Sequence, residues 1–166
     1  MAMIRTVSRQ YLSQGNRIVE SVGDRLVIKW GCPHSSKTGG QNRIEAASWE
    51  RVKHLPDVTH YLQPVVASAP DGSWLLMEKV TTDTLPKDFY SKRVPELTQW
   101  AKQNGLGAMT RDIHSANVGI NPHGETVVID YGFNQDKFRQ TYEREMCAQK
   151  NEPLCTYCTL VAKGRE

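Results

Sequence analysis

The amino-terminal half of the chain begins with a pattern typical of a β-hairpin. Residues 16–30 form two β-rich runs on either side of Gly23-Asp24, so we expect two antiparallel strands. Lys29 then lies near the end of the second strand. Residues 31–41 are dense in Gly, Pro and Ser, and this composition predicts a loop.

A helical pattern follows from residue 42 to about residue 55, where small and apolar side chains recur at about 100° per residue. Glu45 lies beside Val52 on the apolar side of the helical wheel, and Glu50 lies near the opposite side. Of these two acids, Glu45 is therefore the one expected to face the protein interior.

Two more β-prone runs occupy residues 61–68 and 73–80 and flank a turn pattern at residues 69–72. They extend the small antiparallel sheet. A polar connection leads to Pro95, which suits the first turn of a helix that ends near Gly105.

The last third of the chain predicts another hairpin, with strands at residues 118–120 and 126–129 and a turn between them. Residues 134–150 are compatible with a helix. Residues 151–166 have the character of a tail with a short β-prone segment.

Three polar residues around this second hairpin have a distinctive order and spacing. Asp112 and Asn117 are five positions apart, and Asp130 follows Asn117 by thirteen. The predicted hairpin brings all three to one end of two paired strands. The amide oxygen and the carboxylates gathered there are hard oxygen ligands of the kind that a magnesium ion prefers.

In five segments, the chain resembles a truncated member of the protein-kinase-like superfamily. The segments occur in the family's order: the strand with the ATP-binding lysine, the helix with its glutamate partner, the hinge, the catalytic loop and the metal-binding Asp-aromatic-Gly. In this sequence they are LVIKWG, EAASWERVKHLP, LLMEKV, RDIHSANVGI and VIDYG.

The resemblance implies a minimal α+β kinase-like fold. Residues 1–80 would form an amino-terminal lobe with a small antiparallel sheet and one key helix. Residues 81–166 would form a much reduced helical carboxy-terminal lobe that carries the catalytic loop.

The resemblance also implies roles for the residues that match the family pattern. Asp112 would accept or orient the proton of the attacking hydroxyl, and His114, two positions further on, would lie near the transferred phosphate. Lys29 would contact the α- and β-phosphates of ATP and be steered by Glu45, with Glu50 as the alternative partner.

Other residues would bind the cofactors. Asn117 and Asp130 would hold Mg²⁺, for which Mn²⁺ could substitute. The remaining nucleotide contacts would come from the glycine loop and from the adenine-facing hinge, namely Gly15, Asn16, Met77, Glu78 and Val80.

The chain departs from the family pattern at several positions. Thr110 stands where the family usually has His, and Tyr131 replaces the usual Phe. The residues after Asp130 are too few for the family's carboxy-terminal helices, and they contain no Ala-Pro-Glu segment. The usual peptide-docking platform is therefore mostly absent, and a homodimer formed through the short lobe is one way to supply the missing surface.

Within the superfamily, the VIKWG and DIHSAN segments are most similar to the early host-takeover Ser/Thr kinase of short-tailed lytic bacteriophages. This likeness implies a protein kinase that modifies host proteins. Two alternatives remain: a kinase-like pseudoenzyme that binds and inhibits a host partner, and a small-molecule phosphotransferase with the same Asp-x-His-x-x-Asn loop.

Charge and hydropathy limit the partners and the location that we expect for this protein. The formal net charge of +3 comes from scattered charges without a basic run, so direct nucleic-acid binding is not expected. No segment has the length and apolarity of a membrane span or a secretory leader, and we expect a protein of the cytoplasm, or of the host cytoplasm if phage-encoded.

The four cysteines should then stay reduced. Cys155 and Cys158 have the spacing of a zinc knuckle, with Cys147 upstream and Cys32 or His34 as a conceivable fourth ligand. Without a second close pair, the spacing favours packed thiols over a structural zinc site.

Overall fold

The computed structural model describes residues 17–35, 38–82, 84–132, 147 and 152–163. Within these ranges the chain is α+β, with short strands in two antiparallel sheets and a few helices. The strands are β1 (Ile18–Val22), β2 (Leu26–Trp30), β3 (Val65–Ser68), β4 (Trp74–Glu78), β5 (Val118–Ile120) and β6 (Thr126–Val128). The α-helices are α1 (Thr38–Val52), α2 (Val94–Gln103) and α3 (Thr156–Lys163).

The larger sheet has four antiparallel strands in the order β1-β2-β4-β3. The predicted hairpin at its edge is confirmed, and so is the placement of Lys29 near the end of β2. Lys29 pairs with Val19 on one side and with Leu75 on the other. Residues directly opposite one another share a face of the sheet, so Lys29 points to the same side as Leu75, which is fully buried.

Helix α1 begins four residues earlier than predicted, and the loop prediction for residues 31–41 is wrong at its carboxyl end. The Ser35 hydroxyl accepts a hydrogen bond from the backbone N–H of Thr38 at 3.2 Å, which supports the first turn. Gly39 lies within the helix at a position where only a residue without a side chain fits, because a Cβ would clash with the carbonyl of Cys32. This glycine permits close packing and does not break the helix.

The second half largely follows its predicted elements. Pro95 stands in the first turn of α2, the helix ends before Gly105, and β5 pairs with β6 as a hairpin. The prediction of a β-prone tail is wrong, because residues 156–163 form α3. The backbone N–H and the hydroxyl of Thr159 both donate to the carbonyl of Cys155, at 2.9 and 3.0 Å, and this favours the helical turn. The helix predicted at 134–150 lies outside the described residues except for Cys147.

One hydrophobic core joins the two halves of the chain. It combines side chains of the large sheet, of α2 and of the β5–β6 hairpin, among them Leu75, Met77, Leu97, Trp100 and Val128. Backbone hydrogen bonds of 2.9 and 2.7 Å also connect Thr81 with Ile120. No helix in the described part of the chain is long and apolar enough to cross a bilayer.

Candidate active site

A buried ion pair connects the large sheet with α1. The Nζ of Lys29 lies 2.9 Å from Oε1 of Glu45, and the side chains are 7% and 0% exposed. The inward orientation predicted for Glu45 is confirmed. Glu50 is 64% exposed and pairs with Lys53 at 2.6 Å, so it does not substitute for Glu45.

The same lysine reaches the chain segment that follows β6. Its Nζ donates a hydrogen bond to the carbonyl of Ile129, the residue directly before Asp130. The other end of this segment is also fixed, because the backbone N–H of Tyr131 donates to Oε1 of Glu45 at 3.4 Å. Lys29 and Glu45 therefore hold the backbone on both sides of Asp130.

Arg17, which no local sequence pattern singles out, completes the buried charge cluster. Its guanidinium donates to Oε2 of Glu45 at 2.6 Å and to Oδ1 of Asp130 at 2.7 Å. Arg17 is 5% exposed and the side chain of Asp130 is 27% exposed. With Lys29, the cluster holds two cations and two carboxylates, so its formal charges cancel.

The electrostatics of the cluster depend on burial and on these charges. Burial lowers the pKa of Lys29, and the carboxylate of Glu45 opposes this shift only in part. Burial also acts to lower the pKa of Arg17, but Asp130 and Glu45 outweigh it, and the pKa lies above its ordinary value. Burial and the charge of Glu45 raise the pKa of the Tyr131 hydroxyl, which therefore stays protonated and donates to the carbonyl of Gln63 at 2.9 Å.

Asn42 fixes α1 against the sheet one turn before Glu45. Its amide group donates to the carbonyls of Lys29 and Gly72, at 3.0 and 2.9 Å, and its oxygen accepts from Arg17 at 2.8 Å. Asn42 is 1% exposed. These three bonds fix the position of α1 against the sheet so that Glu45 meets Lys29.

The β5–β6 hairpin brings Asn117 and Asp130 to the same end of two paired strands. Val118 pairs with Val128, and the backbone N–H of Ile129 donates to the carbonyl of Asn117 at 2.9 Å. Asn117 directly precedes β5, and Asp130 follows the end of β6. The hairpin geometry predicted for these two residues is thus present in the structure.

Asp112 ends a 3₁₀ turn at Gly107–Asp112 and is linked to Asn117. The Asn117 amide donates to the carbonyl of Asp112 at 2.9 Å. His114 lies between them: its Nε2 is 3.5 Å from Oδ1 of Asp112, and its Nδ1 accepts from the backbone N–H of Ala116 at 3.2 Å. His114 thus supports the loop, and its side chain is 51% exposed, which leaves it accessible to a ligand.

The residues assigned to the hinge lie where the large sheet meets the β5–β6 hairpin. Met77 is 1% exposed and belongs to the core, whereas the side chain of Glu78 is exposed. The Glu78 carbonyl accepts from Gln63 at 3.2 Å. Val80 packs on Gly119 so closely that a Cβ at position 119 would clash with the Val80 side chain. Gly15 and Asn16, the predicted glycine-loop residues, lie outside the described residues.

Pairwise strand register provides the signal that could have identified Arg17. Val19 lies opposite Lys29, and Arg17 precedes Val19 by two positions, so Arg17 and Lys29 project from the same face. A sequence pattern without a register does not show that these two cations share one glutamate.

The chain was compared with models of protein families and with curated proteins, and neither comparison found a match.

Proposed function

We propose that this protein is an ATP- and magnesium-dependent phosphotransferase, and specifically a phage-type Ser/Thr protein kinase that modifies host proteins. The observation that carries the proposal is the buried Lys29–Glu45 pair, which is bonded to the backbone on both sides of Asp130. A protein-kinase-like site needs this lysine and carboxylate to be held together.

The donor set fits a magnesium–nucleotide complex. Asn117 and Asp130 offer an amide oxygen and a carboxylate from one end of the hairpin, and hard oxygen ligands suit Mg²⁺. The ion would supply neutralisation of phosphate charge, and Mn²⁺ could replace it. Lys29 would bind the α- and β-phosphates, and Glu45 would fix the direction of its ammonium group.

Asp112 would orient the acceptor hydroxyl and receive its proton. In the transfer, the bond between the γ-phosphorus and the β–γ bridging oxygen breaks while the acceptor oxygen forms a bond to the same phosphorus. His114 lies 3.5 Å from Asp112 and would donate a hydrogen bond to the transferred group. The adenine would contact the backbone of Glu78 and Val80 beside Met77.

One observation favours a second candidate, a kinase-like pseudoenzyme that binds and inhibits a host partner. The guanidinium of Arg17 already bonds Oδ1 of Asp130, the carboxylate that an active kinase uses for metal. A metal ion at this oxygen competes with the arginine, and displacing the guanidinium from Asp130 costs a buried cation one of its two carboxylate partners. In the pseudoenzyme, Arg17 would keep this position permanently.

Transfer of label from γ-labelled ATP separates the two candidates. The full chain is incubated with Mg²⁺ and a bacterial lysate, and the Asp112→Ala variant is run beside Asp24→Asn, which changes an exposed turn residue. The kinase proposal predicts labelled protein bands with wild type and Asp24→Asn and a loss of at least about 100-fold with Asp112→Ala.

Other outcomes contradict the kinase proposal. If wild type labels nothing, or if Asp112→Ala labels as well as wild type, the transferase mechanism fails. Label in a soluble metabolite with none in protein would instead indicate a small-molecule phosphotransferase.

A further inference from the structure

Four cysteine sulfurs from two widely separated parts of the chain converge at one place, and none of these cysteines belongs to the candidate active site. Cys32 follows β2, Cys155 and Cys158 lie at the start of α3, and Cys147 comes from the segment before it. All four sulfur atoms lie within 4.8 Å of one another. Cys32, Cys147 and Cys158 are buried, and Cys155 is half-buried.

The spacing of the sulfurs matches a single tetrahedral ion. Zinc–sulfur bonds of about 2.3 Å in a tetrahedron place sulfur atoms about 3.8 Å apart. The sulfurs of Cys32 and Cys147 are 3.7 Å apart. A disulfide requires about 2.0 Å, and all four thiols are free. A cluster of several iron atoms would hold its cysteines further apart than one ion does.

The surroundings of the sulfurs differ from those of cysteines that only fill a core. Among the described residues, the buried members of this group are cysteines alone, and the half-buried side chains packed on them are Cys155 and Tyr157. The group is separate from the main core. Cysteines that act as small hydrophobic residues would be expected to pack among aliphatic side chains.

Backbone N–H groups also favour the thiolate forms of these cysteines. Burial acts to raise the pKa of Cys32, Cys147 and Cys155, and backbone hydrogen bonding from His34, Cys155 and Cys158, respectively, acts to lower it. Such hydrogen bonds orient metal ligands and partly neutralise the charge of thiolates. His34 itself is directed elsewhere, because its Nε2 lies 2.6 Å from Oε2 of Glu152.

We infer that Cys32, Cys147, Cys155 and Cys158 bind one zinc ion as a tetrahedral four-thiolate site. Each thiol that arrives protonated releases its proton to solvent as its sulfur–zinc bond forms. The sequence favoured packed thiols because it showed a single close pair, and the fold adds Cys147, which lies shortly before that pair, and Cys32, which lies far away in the chain. Four sulfur ligands in a tetrahedron select zinc over magnesium or calcium.

The position of the site indicates what the metal does. The backbone N–H of Cys32 donates to the Thr38 hydroxyl at 2.8 Å, and its carbonyl packs on Gly39 in the first turn of α1. Zinc would therefore tie α3 to the amino-terminal end of α1, the helix that carries Glu45. The role is structural, and it does not depend on the proposed phosphotransfer.

Metal analysis of the purified full chain tests the inference. We expect about one zinc ion per chain, which a thiol-modifying reagent releases stoichiometrically. Exchange for Co²⁺ should produce intense sulfur-to-cobalt charge-transfer absorption and the visible bands of a tetrahedral four-thiolate complex. Chain that contains less than about 0.1 zinc ion and shows no thiolate–cobalt absorption on titration would overturn the inference.

Variants of the cysteines and of His34 show which side chains bind the zinc ion. Joint replacement Cys155→Ser and Cys158→Ser should remove the zinc, whereas Thr156→Ala, an exposed change between them, should leave the content unchanged. His34→Gln should keep both the zinc and the four-sulfur cobalt spectrum. A spectrum of mixed sulfur and nitrogen ligands in wild type that becomes weaker in His34→Gln would contradict the four-thiolate assignment. The wild-type cobalt spectrum shows whether four thiolates bind the metal even if the serine variants do not fold.

Discussion

Replacing Glu45 with Gln tests whether the buried charge cluster holds the two halves of the fold together. The substitution keeps the shape of the side chain and removes its charge. Glu45 is 0% exposed and bonds Lys29 at 2.9 Å and Arg17 at 2.6 Å. In Glu45→Gln, two buried cations share the single carboxylate of Asp130, which bonds Arg17.

The magnitude follows from the loss of one partner in a buried ion pair. Breaking such a pair costs about 3–5 kcal/mol because a desolvated charge is left without compensation. Small domains have a total unfolding free energy of about 5–15 kcal/mol, so this single change should remove a large fraction of it. If the unfolding free energy falls by about 2 kcal/mol per molar urea, the urea concentration at the unfolding midpoint should fall by roughly 1.5–2.5 M.

Glu50→Gln is the matched control, because Glu50 lies on the same helix in an exposed pair with Lys53 at 2.6 Å. Exposed pairs contribute about 0–1 kcal/mol, so its midpoint should stay near that of wild type. Urea unfolding followed by tryptophan fluorescence measures all three proteins. A loss of unfolding free energy in Glu45→Gln no larger than that in Glu50→Gln would contradict a stabilising role for the buried charge cluster.

Three further changes have defined outcomes. Gly119→Ala should lower the unfolding free energy by about 1–3 kcal/mol through a clash with Val80, and adding Val80→Ala should restore part of it in urea unfolding. Tyr131→Phe removes a buried hydroxyl bond and should cost about 1 kcal/mol, and an unchanged melting temperature would argue against that bond. A hydrogen bond from Asn121 lowers the pKa of Glu125, so its contribution to stability is present above pH 4.5 and is lost as the pH falls through the lower folded pKa. Wild type should therefore lose more stability on acidification than Glu125→Gln. Parallel profiles of unfolding free energy against pH for the two proteins would contradict this contribution of Glu125.

Local patterns in the sequence predicted the parts of the site that depend on periodicity and turns. The helical wheel placed Glu45 inside, and the second hairpin brought Asn117 and Asp130 together. Helix α1 began early because Ser35 and the close approach at Gly39 depend on neighbouring loop atoms, which composition does not show.

Contacts between distant segments could not be predicted in the same way. Arg17 meets Asp130 across 113 positions, and Cys32 meets Cys147 across 115. Neither pair has a local spacing pattern, because the fold alone sets the distance between its members. The tail prediction failed for a related reason: the turn at Cys155 favours α3, and its packing involves cysteines from elsewhere in the chain.

Binding of ATP in the presence and absence of Mg²⁺ tests whether Lys29, Asn117 and Asp130 form a metal–nucleotide site. Isothermal titration is performed on wild type, Asp130→Asn and Asp112→Ala. We expect Mg²⁺-dependent binding that weakens at least about tenfold in Asp130→Asn, a loss of about 1.4 kcal/mol, and persists in Asp112→Ala. No binding to wild type, or equal binding with and without Mg²⁺ in both wild type and Asp130→Asn, would contradict it.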